Sequence, residues 1–341
     1  MPTEHELLKK FNAAAMVSDA APVPPARPWL GDLVETALRA EGRPAHLLFG
    51  EPHVNGAYLE TFLTLAENPG IFEAAARNGV RHFVLEFPTG FQKSLDDYVR
   101  HERDREKFLW YVFDNPFFHF ITPWVAGEAA AQFKTAFGAV IDNALAAGLT
   151  VHFADLTCNK FLGDMPPEFG EMEKKLAERH EAEKSSLPLQ QYIAEYVQNL
   201  PREEQLALVD TFTRFQYAKR ISRVDDTEQF NYLRERIPAN EGIMGVFGYA
   251  HLDDSVATGI GLNSHLEREG AAVTTVEIYN NRNTRDFMDA TYAASGAVKR
   301  KPPDYTVVLD EDRVLDKNLG PVDAAAPRPA RTAVTSPPAG P

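Results

Sequence analysis

Short apolar runs and longer segments of helical period alternate along this chain. AHLLF at 45–49, HFVLEF at 82–87, TVHFADL at 150–156, IMGVFG at 243–248 and TTVEIY at 274–279 have the composition of buried strands. Between them apolar residues recur three and four apart. Examples are Tyr58, Leu59, Phe62, Leu63 and Leu65, and then Phe133, Phe137, Val140, Ile141 and Leu145, before Gly148 supplies a helix stop. A helix between consecutive buried strands carries the chain back to run parallel, so the alternation predicts an α/β fold with a mainly parallel central sheet flanked by helices. From Glu168 to Arg236 the strand pattern stops and Glu, Lys, Gln and Leu dominate, which predicts a helical insertion over one end of the sheet, a candidate lid. The stretch AAPVPPARP at 20–28 and the Ala- and Pro-rich end of the chain hold too few large apolar groups to offset the entropy of ordering. The expected organisation is an extended flank over 1–28, one α/β domain over 29–320 and a disordered tail over 321–341.

Charge narrows the partners. A formal net charge of -14 is the wrong sign for a broad nucleic-acid or anionic-membrane surface, and a small-molecule or peptide substrate is the expected partner. The start MPTEHELLKK lacks a basic segment followed by an apolar core, and no later run is long and apolar enough to span a bilayer, so the expected location is cytoplasmic, with export by a secretion system as the alternative. Cys158 is the single cysteine, so any metal centre within the chain relies on His, Asp and Glu.

Candidate chemistry gathers just after the predicted strands, where open parallel sheets place their ligands. Gly50-Glu51-Pro52-His53 follows AHLLF, Glu86 closes FVLEF, and Gly248-Tyr249-Ala250-His251 follows IMGVF. Glycine permits a sharp turn and the histidine then emerges at the rim of the sheet, where an imidazole serves as a metal ligand or as an acid/base near neutral pH. The bare Gly-x-x-His spacing is common, roughly 0.6 matches by chance at this composition. A third copy, Gly79-Val80-Arg81-His82, precedes its strand rather than following it. Asp155, which ends another strand, Arg223, Tyr249 and His119 are candidate substrate contacts, His119 lying in the aromatic segment FDNPFFHFITPW. Phosphate-loop, Gly-x-Ser-x-Gly, His-Glu-x-x-His and Gly-x-Gly-x-x-Gly motifs are missing, which removes support for kinase, serine esterase, zinc-helix protease and simple dehydrogenase.

The order FGEPH, FVLEF, VFGYAH resembles the superfamily that joins erythromycin esterases, ChaN proteins and the Tiki/TraB proteins. Gly50 to His53 is similar to its Gly-Glu-x-x-His signature, and Gly248 to His251 to its second Gly-x-x-His. Where members carry an Arg-Asp or Arg-Asn helix, this chain reads Arg223-Val224-Asp225-Asp226. The resemblance implies a site formed by His53, Glu51, Glu86 and His251, acting as acid/base residues or as ligands of a divalent metal (Zn, Mn, Co or Fe). The leading expectation is a hydrolase of ester, lactone or amide bonds. The alternatives are a haem or metal-ion binding protein like ChaN, a toxin- or effector-like protein, and an acid/base enzyme without hydrolysis.

Overall fold

The computed structural model describes residues 19–39, 44–52, 56–113, 127–156, 167–186, 226–252, 260–286, 302–316 and 320–323, with isolated positions between 189 and 204. In chain order these form α1 (Trp29–Leu38), β1 (Ala45–Glu51), α2 (Ala57–Glu67), α3 (Gly70–Arg77), β2 (Val80–Pro88), α4 (Gln92–Val99), α5 (Arg105–Phe113), α6 (Gly127–Ala146), β3 (Thr150–Asp155), α7 (Pro167–Glu183), α8 (Thr227–Arg234), β4 (Gly242–Gly248), α9 (Leu262–Arg268), β5 (Ala272–Tyr279), β6 (Tyr305–Val308), β7 (Arg313–Asp316) and β8 (Gly320–Asp323).

The strands make one sheet in the order β3-β2-β4-β1-β5-β6-β7-β8. The first six run parallel to one another, and β7 and β8 add an antiparallel edge. Alternate side chains of each strand point to opposite faces, which splits the core in two. One face carries Leu47, Phe49, Phe83, Leu85, Met244, Val246, Val276 and Ile278 under α1, α2, α3, α5 and α6, with rings of Phe62, Phe87, Phe133, Phe137 and Phe153 packed at 4.7–6.1 Å. The other carries Leu48, Val84, Ala154, Ile243 and Phe247 under α8 and α9 through Leu233, Leu262 and Leu266. Two covered faces explain why the strands read as continuous apolar runs rather than alternating ones.

The α/β reading and the five central strands stand, with ends shifted by up to two residues. Among the described residues the stretch from 156 to 241 holds helix and no strand. The helix α8 packs on a face of the sheet, through Leu233. The flanking segment is extended but tied down. Ala21 exchanges two hydrogen bonds with the Gln132 side chain of α6, at 2.8 and 2.6 Å. Arg27 is buried, its guanidinium reaching Asp312 at 2.6 Å and the Leu309 carbonyl at 3.0 Å. Within the tail expected from 321, Pro321–Asp323 complete β8. No helix among the described residues is long and apolar enough to cross a membrane.

Candidate functional site

The chain order places β4 between β2 and β1, so the carboxyl ends of four neighbouring strands, β3, β2, β4 and β1, end side by side. A crevice beyond such ends, where successive connections leave in opposite directions, is the usual ligand position in this architecture. Each of the four ends delivers one sequence candidate: Asp155 from β3, Glu86 from β2, His251 from the turn after β4, and Glu51 from β1.

Gly50 makes the crevice compact. A Cβ there would lie 2.9 Å from Leu252 Cδ1 and 3.1 Å from Tyr249 Cβ, so only glycine lets the turn after β4 close over β1. Tyr249 therefore lies against the backbone of the first Gly-x-x-His turn. Glu51 pairs in register with Gly248 and is buried, continuing the row of Leu47 and Phe49.

Glu86 bridges two elements. Its Oε2 accepts the Gly248 N–H at 2.5 Å, fixing the start of the second turn, and its Oε1 meets His251 Nε2 at 2.9 Å. On the opposite edge of the ring, His251 Nδ1 lies 3.0 and 3.1 Å from the two oxygens of Asp226. The Asp226 side chain has no exposed area, and it stands at the start of α8 without capping that helix. Its backbone N–H donates to the Ile260 carbonyl at 3.0 Å, which holds the segment before α9 against it. Burial disfavours the charged imidazole, but the Glu86 and Asp226 carboxylates and their hydrogen bonds outweigh it and push His251 up to about 10. His251 is therefore an imidazolium near neutral pH, donating from both nitrogens.

Tyr58, on the first turn of α2, closes the other side. Its ring stacks on Phe133 at 4.9 Å. Its hydroxyl is held well above the usual phenol range, by burial first and then by Glu51, Glu86 and Asp155. Burial and the negative charge of these carboxylates keep the phenol protonated, as a donor.

The four candidates Glu51, Glu86, Asp155 and His251 share this crevice, and Tyr249 packs beside it. His53, His119 and Arg223 lie outside the described residues. Asp226 and Tyr58 are the additions. Asp226 reads in the sequence as a helix cap ahead of Thr227, and Tyr58 as one apolar position of α2; only the three-dimensional neighbourhood turns them toward the site.

The expected divalent metal finds no support here. Among the described residues no group of three or more His, Cys, Asp or Glu is arranged to hold a metal ion. His251, one of the expected metal ligands, meets a carboxylate at each ring nitrogen instead. The described residues do not fit such a group.

No protein-family profile matches the chain, and no curated protein matches it. Among solved structures it is similar to ChaN of Campylobacter jejuni, described with cofacial haem binding, at 14% identity over 73% of this chain and 85% of that one, with a TM-score of 0.34. A likeness of that size bears on neither ligand nor reaction.

Proposed function

We propose that the chain is an acid/base hydrolase that cleaves an ester, lactone or amide bond at the crevice over β1, β2, β3 and β4. The observation that carries this reading is the imidazolium of His251, clamped between Glu86 and Asp226 at the strand ends where Glu51 is buried in register with Gly248. A cation held at the strand ends and a carboxylate on a neighbouring strand end can stabilise negative charge and activate water in one reaction. Glu51 takes a proton from water as the oxygen attacks the substrate carbonyl. The developing oxyanion is stabilised by donors at the crevice, with the Tyr58 hydroxyl the neutral one. Glu51 then passes that proton to the departing alkoxide or amine, while His251, held as the cation by Glu86 and Asp226, offsets the charge that develops on the carbonyl oxygen.

The test is turnover of a panel of aryl esters, lactones and anilides by wild type and Glu51→Gln. The amide keeps the size of the side chain and cannot act as a base. Loss of about 10²–10⁴ in kcat/KM, with the fold intact by circular dichroism, is the expected result. Turnover equal in both proteins overturns the assignment of Glu51. A panel without turnover, together with a Soret band on adding haemin, replaces the hydrolase reading with haem binding.

A further inference from the structure

We propose that His82, His152 and Glu241 form a proton-operated latch on the edge strand of the sheet, closed near neutral pH and released in acid, which regulates the crevice at the strand ends. The histidine of the Gly-x-x-His that precedes its strand is the centre of it. His82 Nδ1 lies 3.0 Å from His152 Nε2, and His82 Nε2 lies 2.5 Å from Glu241 Oε2, in the segment entering β4. Both imidazoles are buried, on adjacent strands β2 and β3.

The hydrogen positions follow from donor and acceptor counting. With both rings neutral, His82 donates from Nε2 to Glu241, so its Nδ1 is a lone pair and His152 donates to it from Nε2. One added proton is accommodated: His82 becomes the cation, donates from both nitrogens, and His152 accepts. A second added proton sets two N–H groups and two positive charges face to face at 3.0 Å, where no hydrogen bond remains. The rings must then part.

The groups around the pair come from every element packed on it. Glu241 faces His82 from the segment before β4. Asp96 of α4 favours charge on His152, while His82 and Arg236 oppose it. Arg236 lies over the Tyr232 ring, 3.6 Å from its centre. Burial first, and then His82, hold His152 down at about 4. The lowered value means the stability of the closed form over the open one is complete above the ordinary histidine value of 6.5 and falls away as pH drops from there toward 4.

β3 is the strand this affects. Among the described residues it pairs with β2 alone, and the Gln92 side chain bonds to its outer edge. It ends on Asp155, and its Ala154 carbonyl accepts from Gln229 of α8, at 3.1 Å, one turn from Asp226. Release of β3 therefore loosens two walls of the crevice, a consequence that rests on the hydrolase reading.

The experiment is hydrogen exchange of the full chain from pH 7 to 4, corrected for intrinsic rates, comparing segment 150–155 with 45–51 in β1. In wild type, β3 exchange rises about tenfold at the acid end while β1 stays protected. His152→Gln, which keeps an amide donor where Nε2 stood and cannot titrate, holds β3 protected throughout. Glu241→Gln, a change at a half-exposed side chain, removes the carboxylate that favours the first added proton and moves release to lower pH; it serves as the test should His152→Gln not fold. Protection of β3 equal to that of β1 at pH 4, opening of both strands together, or opening of β3 unchanged in the variants overturns the latch. None of these readouts uses turnover, so failure of the hydrolase reading and failure of the latch are seen separately.

Discussion

At the scale of single residues, the central fact is a carboxylate, Asp226, with no exposed side-chain area. Taking such a charge out of water costs several kcal/mol unless a partner compensates it, and His251 is that partner while Glu86 shares it. Asp226→Asn keeps the shape and removes one of the two charges that hold the imidazolium. The His251 resonance, followed by NMR, should then titrate well below the wild-type value of about 10. An unchanged titration would show that Glu86 alone holds the proton. His251→Ala, which strands both carboxylates, should cost about 3–5 kcal/mol by urea unfolding. Glu51, Glu86, Asp155 and His251 were legible in the sequence as strand-end residues because each sits where an apolar run stops, and open parallel sheets usually place ligands beyond such ends. Asp226 was not legible as a partner. It lies 25 residues before His251, and an Asp before a helix carries the same signal whether it caps that helix or, as here, turns away from it.

At the scale of elements, β3 is an edge strand of the sheet. Gln92, from the first turn of α4, takes the place of a missing neighbour strand: its Oε1 accepts the Phe153 N–H at 2.8 Å and its Nε2 donates to the Val151 carbonyl at 3.4 Å. Unpaired groups on an edge invite pairing with another chain, and a glutamine fork covers them without extending the sheet. Gln92→Ala should lower stability by about 1–2 kcal/mol and raise light scattering on mild heating. Unchanged stability would mean that water serves the edge equally well. The five long strands were readable because burial on both faces gives unbroken apolar runs. β6, β7 and β8 have four residues each, and β7 and β8 form the antiparallel edge, so their composition carries too few positions for a period to emerge. The segment 20–28 misled by composition in one respect. Its prolines do keep it extended, but Arg27 is an anchor, because a buried guanidinium can satisfy the carbonyl of Leu309 and the carboxylate of Asp312 together.

At the scale of the whole molecule, three of the buried histidines, His46, His152 and His251, shift how stability changes with pH, and they act in opposite directions. His46 is held down at about 4, by burial and then by Arg234, and donates nothing from Nδ1, which accepts the Ile243 N–H at 3.0 Å. His152 is held down at about 4 as well. For both, the unfolded chain binds the proton first as pH falls, so their contribution is complete above 6.5 and is lost between 6.5 and about 4. His251, raised to about 10, behaves in the reverse sense: its contribution is complete below 6.5 and is lost as pH rises from 6.5 through 10. The two directions together place the stability maximum near 6.5. Net charge argues for a different position, since self-repulsion vanishes at the isoelectric point, near 5.2 for this chain. Buried groups should dominate, because solvent screens dispersed surface charge and does not reach Asp226 or His46. Thermal unfolding from pH 4 to 10 separates the two: a midpoint that peaks near 6.5 and falls on both sides marks control by the histidines, and a peak near 5.2 with steady decline through neutral pH marks control by net charge. In Asp226→Asn the alkaline fall should flatten while the acid fall remains, because only the His251 contribution depends on that carboxylate.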